Sequence, residues 1–164
     1  AIVGYGIVEY KNNKFKVIDY GAIFTPASIS TTKRLEKIYK GIDILIKNYN
    51  IDEVVFEDIQ LQNNILNNVQ TFKVLAEVFG IIDELLTEQK IPHIAVLASS
   101  WKSTLSIKGK TRPEQKRNAQ AYVEKTYGVK ATQDESDAIC IGSHYTQKNA
   151  QADNIVDGGF SWSI

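Results

Sequence analysis

A chain of 164 residues with 43% hydrophobic side chains is one domain's worth of sequence, able to bury a core without disulfides or structural zinc. Its single cysteine, Cys140, excludes a disulfide framework or a Cys-rich metal site and points to a reducing compartment, the cytoplasm. Nineteen basic residues balance nineteen acidic ones, so net charge identifies no partner, and no apolar run approaches the ~18 residues of a membrane span.

The chain opens on Ala1 with no basic leader, so no secretory signal is visible, and the absence of Met predicts sequence upstream. Residues 1–10 (AIVGYGIVEY) and 15–24 (FKVIDYGAIF) are rich in β-branched and aromatic residues. They flank Lys11-Asn12-Asn13-Lys14, which predicts a β-hairpin. Leu35, Ile38, Ile42, Leu45, Ile46 and Tyr49 recur at three- and four-residue spacing and predict a helix over 31–50, capped by Ser30, Thr31 or Thr32. Ile51 to Glu57 (IDEVVFE) reads as a buried strand ending in a carboxylate.

An amide-rich connection follows, from Gln60 to Gln70, and then an amphipathic helix over 69–89 through Phe72, Leu75, Phe79, Ile82, Leu85 and Leu86. His93 to Ala98 reads as a second buried strand and 106–112 (SIKGKTR) as a polar loop. The next helix is expected to open on Thr111, three residues before Glu114 with Pro113 in its first turn, and to stop at Gly128. A final helix is predicted over 134–148, with a tail from about Asn149 that is a loose end or an extra strand. Strands joined through helices pair in parallel, whereas the opening hairpin is antiparallel. The expected fold is therefore α/β, a mixed sheet flanked by helices, with one domain over 1–148.

The acids and bases are not spread evenly. Between Lys102 and Lys130 eight basic residues face only Glu114 and Glu124, a local charge of +6 that leaves −6 for the remainder. Such a segment suits a polyanion, and Lys102, Lys108, Lys110, Arg112, Lys116 and Arg117 are the candidate phosphate contacts. Glu57 ends a strand, where ligands of α/β sheets collect. Asp134 and Asp137, three apart in the first turn of a helix, share a face. Three carboxylates brought together repel unless a cation intervenes. Hard oxygen donors point to Mg²⁺, with Mn²⁺ substituting, and two such ions can activate a water against a phosphodiester. Trp101 reads as a core anchor, His93 and His144 as structural or packing residues, and Cys140 as packing.

GYGIVEY followed by DYGAI, VVFED and DESDAICIGSH, in that order, resembles the RuvC family of Holliday junction resolvases, of ribonuclease H-like fold, over most of 1–148. The resemblance implies a homodimeric, Mg²⁺-dependent endonuclease that nicks a four-way DNA junction symmetrically. Glu57 matches the family's strand glutamate, Asp134 and Asp137 the two acids of its last helix, and Lys102 and Lys116 its lysines on either side of the basic loop. The broad apolar face of the helix over 69–89 offers a dimer interface.

Two departures bear on this reading. The family's first strand, which ends in Asp-x-Gly and supplies a fourth carboxylate, has no counterpart here, and losing a central strand should expose apolar edges. Either a segment precedes Ala1, or the chain is truncated and inactive, or Asn154-Ile155-Val156-Asp157-Gly158-Gly159 takes the place, with Asp157 as the ligand. After Glu57, Asp58-Ile59-Gln60-Leu61-Gln62 stands where bacterial members often carry an aromatic wedge, and this segment with the following NVQTFKVLAEVFG looks more like phage-borne members. Leu61 is the candidate wedge, and Asn67 and Asn68 read as helix caps. A non-catalytic branched-DNA binder, or a nuclease for flaps or RNA–DNA hybrids, therefore stays open.

Overall fold

A computed structural model describes residues 1–12, 14–60 and 65–152. Leu61 and the segment 154–159 with Asp157 lie outside the described residues, and the helix expected over 69–89 begins at Ile65, which puts Asn67 and Asn68 inside its first turn instead of at its cap. Strands β1 (Ile2–Lys11) and β2 (Lys14–Phe24) form the expected antiparallel hairpin, with Lys11 opposite Lys14 across the turn. A register shift between Ile7 and Val8 leaves Ile18 as the extra residue of a bulge. Helix α1 (Thr31–Tyr49) is capped by Ser30, whose hydroxyl accepts the Lys33 N–H at 3.4 Å, and ends on Asn50 in the left-handed region.

Strand β3 (Val54–Glu57) is shorter than expected and pairs in parallel with β4 (His93–Val96), the two joined through α2 (Ile65–Glu88). Both kinds of pairing are thus present, as two separate ladders: among the described residues no ladder joins β1 to β3. Ile2, Ile18 and Phe24 of the hairpin remain exposed.

The expected strand over 93–98 ends at Val96 because α3 (Ala98–Thr104) begins there, a helix that the sequence pattern did not predict. Helix α4 (Arg112–Tyr127) starts on the Thr111 cap and ends on Gly128 at φ 69°, as its cap residues dictate. Helix α5 (Gln133–Ala152) runs four residues past its expected end.

Alternation along β3 assigns the layers. Val54 and Phe56 pack with Ile38, Ile42 and Ile46 of α1 and Val78, Ile82, Leu85 and Leu86 of α2. Val55 faces the other way, into a cluster of Trp101, Leu105, Ile107, Ala119, Val123 and Ile139 to Ile141. Glu57, two residues on from Val55, points to that second side, toward α3, α4 and α5. Gly4 and Gly6 of β1 let α5 lie directly on the hairpin. A Cβ on Gly4 would collide with the Asp134 carbonyl, and one on Gly6 would stand 2.9 Å from Ile139 Cγ1.

Candidate active site

The carboxylate of Glu57 is held by Trp101, whose indole Nε1–H donates to Oε2 at 3.0 Å. Trp101 is wholly buried, so its N–H needs a partner inside the protein, and meeting a carboxylate fixes that group's orientation. The core anchor read from the sequence is therefore also a contact of the candidate acid, and 44 residues of separation hid the pair.

Helix α5 starts one residue earlier than expected because Thr132 caps it. The Thr132 hydroxyl accepts the Glu135 N–H while the Glu135 carboxylate accepts the Thr132 N–H at 2.6 Å. That frees Asp134 from a capping role. Its Oδ1 accepts from Lys116 Nζ at 2.8 Å, and the same ammonium lies 4.0 Å from Asp137 Oδ2. Burial pushes the Asp137 carboxyl up to about 6. Lys116 opposes the shift, Glu57 adds to it, and Lys102 and Asp134 act in the same two directions with less weight. Glu57, Asp134, Asp137, Lys102 and Lys116 therefore form one electrostatic neighbourhood. Among the described residues, however, no three His, Cys, Asp or Glu side chains converge closely enough to hold a metal ion. Lys116 takes the place between the two aspartates.

Lys102 Nζ sits 5.1 Å over the Trp101 ring and donates to Gln115 Oε1 at 3.3 Å. Lys108 and Lys110 are exposed on the loop 105–111 between α3 and α4, and Arg112 and Arg117 are exposed on α4. Among the described residues none of these four cations makes an ion pair.

Among the described residues neither histidine bonds to Glu57, Asp134 or Asp137. His93 bonds to the Ile91 carbonyl and to Asp83, both at 2.9 Å. His144 is buried in the floor of a groove of about 370 Å³ between α3 and α5, with burial holding its pKa down. Cys140 is buried and its thiol is pushed up by that burial. Phe79, expected on the broad apolar stripe, packs edge-on against Phe56 in the core, leaving Val69 and Leu75 as the exposed large apolar residues of α2 among the described ones.

Comparison with known proteins supplies the family. The model described as crossover junction endodeoxyribonuclease RuvC matches residues 1–144. The RuvC of Fusobacterium nucleatum is 33% identical over 146 residues, covering 86% of this chain and 72% of that protein. The RuvC of Clostridioides difficile (strain 630) is 62% identical over 65 residues, but the match spans only 40% of this chain and 38% of that relative's length. A solved structure, T. thermophilus RuvC in complex with Holliday junction substrate, superposes with a TM-score of 0.69 at 16% identity, covering 90% of each chain. At that identity the likeness is one of fold: the mixed α/β architecture with helices on both faces.

Proposed function

The chain belongs to the RuvC family of crossover junction endodeoxyribonucleases, and from that premise we propose that it hydrolyses phosphodiesters in four-way or otherwise branched DNA, leaving 5′-phosphates. Glu57, Asp134 and Asp137 are the proposed metal ligands, and Lys102, Lys108, Lys110, Arg112, Lys116 and Arg117 the proposed DNA contacts. The observation that carries the reading is Asp137. It is a largely buried carboxylate pressed by Glu57 and Asp134 and answered by Lys116 and Lys102, beside a loop whose cations Lys108 and Lys110 make no ion pair among the described residues.

The donor set fits a hard divalent cation. It is all oxygen, and the three carboxylates outnumber the one ammonium, Lys116, that pairs with the two aspartates. Glu57, Asp134 and Asp137 would hold Mg²⁺ or Mn²⁺, two ions in our proposal, which would supply an activated water and charge neutralisation at the phosphate. The remaining tasks fall to the protein's own groups. Trp101 fixes one oxygen of Glu57, and Lys102 and Lys116 present ammonium charge where negative charge builds on the phosphate. We further propose a cytoplasmic homodimer. The exposed Val69 and Leu75 on α2 support an interface, and no helix of the described residues is long and apolar enough to cross a membrane.

The test is cleavage of a synthetic four-way junction in Mn²⁺. Wild type should nick it, and Glu57→Gln should lower the rate by at least roughly 10²-fold, the scale of a lost electrostatic group in a dry site. Cleavage by Glu57→Gln at the wild-type rate would overturn the assignment. The alternative reading is a junction binder without catalysis. Junction binding that persists in EDTA, with no cleavage in any divalent metal, selects that reading. Flaps and RNA–DNA hybrids in the same assay rank the substrates.

A further inference from the structure

The loop 105–111 is built into the protein at several points. At its start the Ile107 N–H donates to the Lys102 carbonyl at 2.8 Å, with Leu105 and Ile107 buried. At its far end three successive residues are held by side chains of α4. The Lys110 N–H donates to Glu114 Oε2 at 2.8 Å, Gln115 Nε2 donates to the Gly109 carbonyl at 3.0 Å, and Asn118 Nδ2 donates to the Lys108 carbonyl at 2.6 Å. Two of these clips tie only the loop. Gln115 alone among them reaches further, because its Oε1 accepts the ammonium of Lys102.

The chemistry of the two partners fixes the amide's orientation. A lysine ammonium can only donate and a backbone carbonyl can only accept, so the oxygen must face Lys102 and the nitrogen Gly109. The fit is close: a Cβ on Gly109 would stand 2.8 Å from the Gln115 backbone nitrogen and 2.9 Å from its Cγ. The contrast with Lys116 is chemical. Lys116 is ion-paired with Asp134, whereas Lys102 is held by a neutral amide and makes no ion pair among the described residues, which leaves its ammonium available to an incoming phosphate. A glutamate at position 115 would keep the acceptor but pair with that charge, and would turn an oxygen toward the Gly109 carbonyl.

We propose that Gln115 is a positioning residue that couples the cationic loop to Lys102. When Lys108 and Lys110 are drawn onto the DNA backbone, the Gly109 carbonyl, Gln115 and Lys102 move as one linked unit, so the grip of the loop on DNA sets where the Lys102 ammonium stands. The inference rests on the nuclease reading for its consequence in catalysis, but the linkage itself is a property of the DNA-free chain and is tested there.

The test uses the full chain with Trp162→Phe, which leaves Trp101 as the sole indole. Because Lys102 Nζ lies over that ring, Trp101 emission responds to where the ammonium stands, and the Glu57 carboxylate bonded to the same indole is unchanged in every variant used. The near-isosteric Gln115→Met, which offers neither the acceptor nor the donor, should shift the Trp101 emission of the DNA-free protein. In junction cleavage it should lower kcat roughly tenfold, less than outright loss of a charge-stabilising donor, while KM changes by less than about threefold. Gln115→Glu should fail to rescue kcat and should raise KM, because it quenches the charge it holds. Gly109→Ala should reproduce the emission shift by forcing the loop away from α4, and it keeps the test alive should Gln115→Met fold poorly. An emission spectrum unchanged in both Gln115→Met and Gly109→Ala overturns the linkage, whatever the nuclease assay shows. A shifted spectrum with wild-type kcat overturns its role in catalysis. Failure of the wild type to cleave any branched DNA counts against the nuclease reading and leaves the emission result to decide the linkage.

Discussion

Burial raises the pKa of the Asp137 carboxyl, and that shift makes a measurable prediction. Its ordinary value is 3.8 and its value in the fold is about 6, so the folded state holds a proton that the unfolded chain has released. Stability from this group is present below about pH 4, declines as pH rises through about 6, and stays lost above that, at a cost of up to about 3 kcal/mol. Metal-free protein should therefore unfold at lower urea at pH 7.5 than at pH 5. Asp137→Asn should remove that part of the pH dependence and stabilise the metal-free chain at pH 7.5 by about 1–3 kcal/mol while abolishing any stabilisation by Mn²⁺. A variant less stable than wild type at pH 7.5 would show that the aspartate is held by favourable contacts. The pairing of Asp134 with Asp137 was legible because three-residue spacing shares a helical face. The hydrogen bond from Trp101 to Glu57 and the two hydrogen bonds of the Gln115 amide were not. No periodicity connects residues from different elements, and an amide in a helix's first turn reads like any solvated one.

Among the elements, the hairpin shows how a sequence detail becomes site geometry. Glycines at alternate positions 4 and 6 remove side chains from one face of β1, and α5 occupies the space with the turn that carries Asp134. Gly4→Ala must push that turn outward, because the obstacle is backbone rather than a flexible side chain. It should cost roughly 1–3 kcal/mol and displace both aspartates, lowering junction cleavage with it. Gly80, within α2 with nothing within 4 Å of its absent side chain, supplies the opposite case. Gly80→Ala should stabilise by about 0.5–1 kcal/mol and leave cleavage unchanged. Thermal melts of the two variants decide the matter, and equal effects would refute the packing argument. The hairpin, α1 and α4 were legible to within a residue or two because caps and periodicity agreed. Helix α3 escaped because seven residues hold too few turns to show a period, and its cap residue, Leu97, makes no side-chain bond to announce a start.

For the whole molecule, the division of charge matters more than the total. The +6 stretch from Lys102 to Lys130 was legible in the sequence, but the sequence did not say which cations remain available. Lys116 is drawn inward to the aspartates, and on α1 Lys40 and Lys47 are paired with Glu36 and Asp43 four residues earlier. Lys108 and Lys110 have no such partner among the described residues and stand on a loop clipped to the candidate site through Gln115. If these two meet backbone phosphates, removing both should weaken junction binding in Ca²⁺ and reduce the slope of log K against log salt by roughly 2, one counterion for each lost contact. The loss should be about equal for different junction sequences, since phosphate contacts carry no base information. Lys40→Ala with Lys47→Ala changes the net charge by the same amount on another face, and should leave the slope within about 0.5 of wild type because screening confines charge effects to ~10 Å. Equal slopes for the two double variants would mean that DNA responds to net charge rather than to this surface, and the binding face would then have to be sought elsewhere.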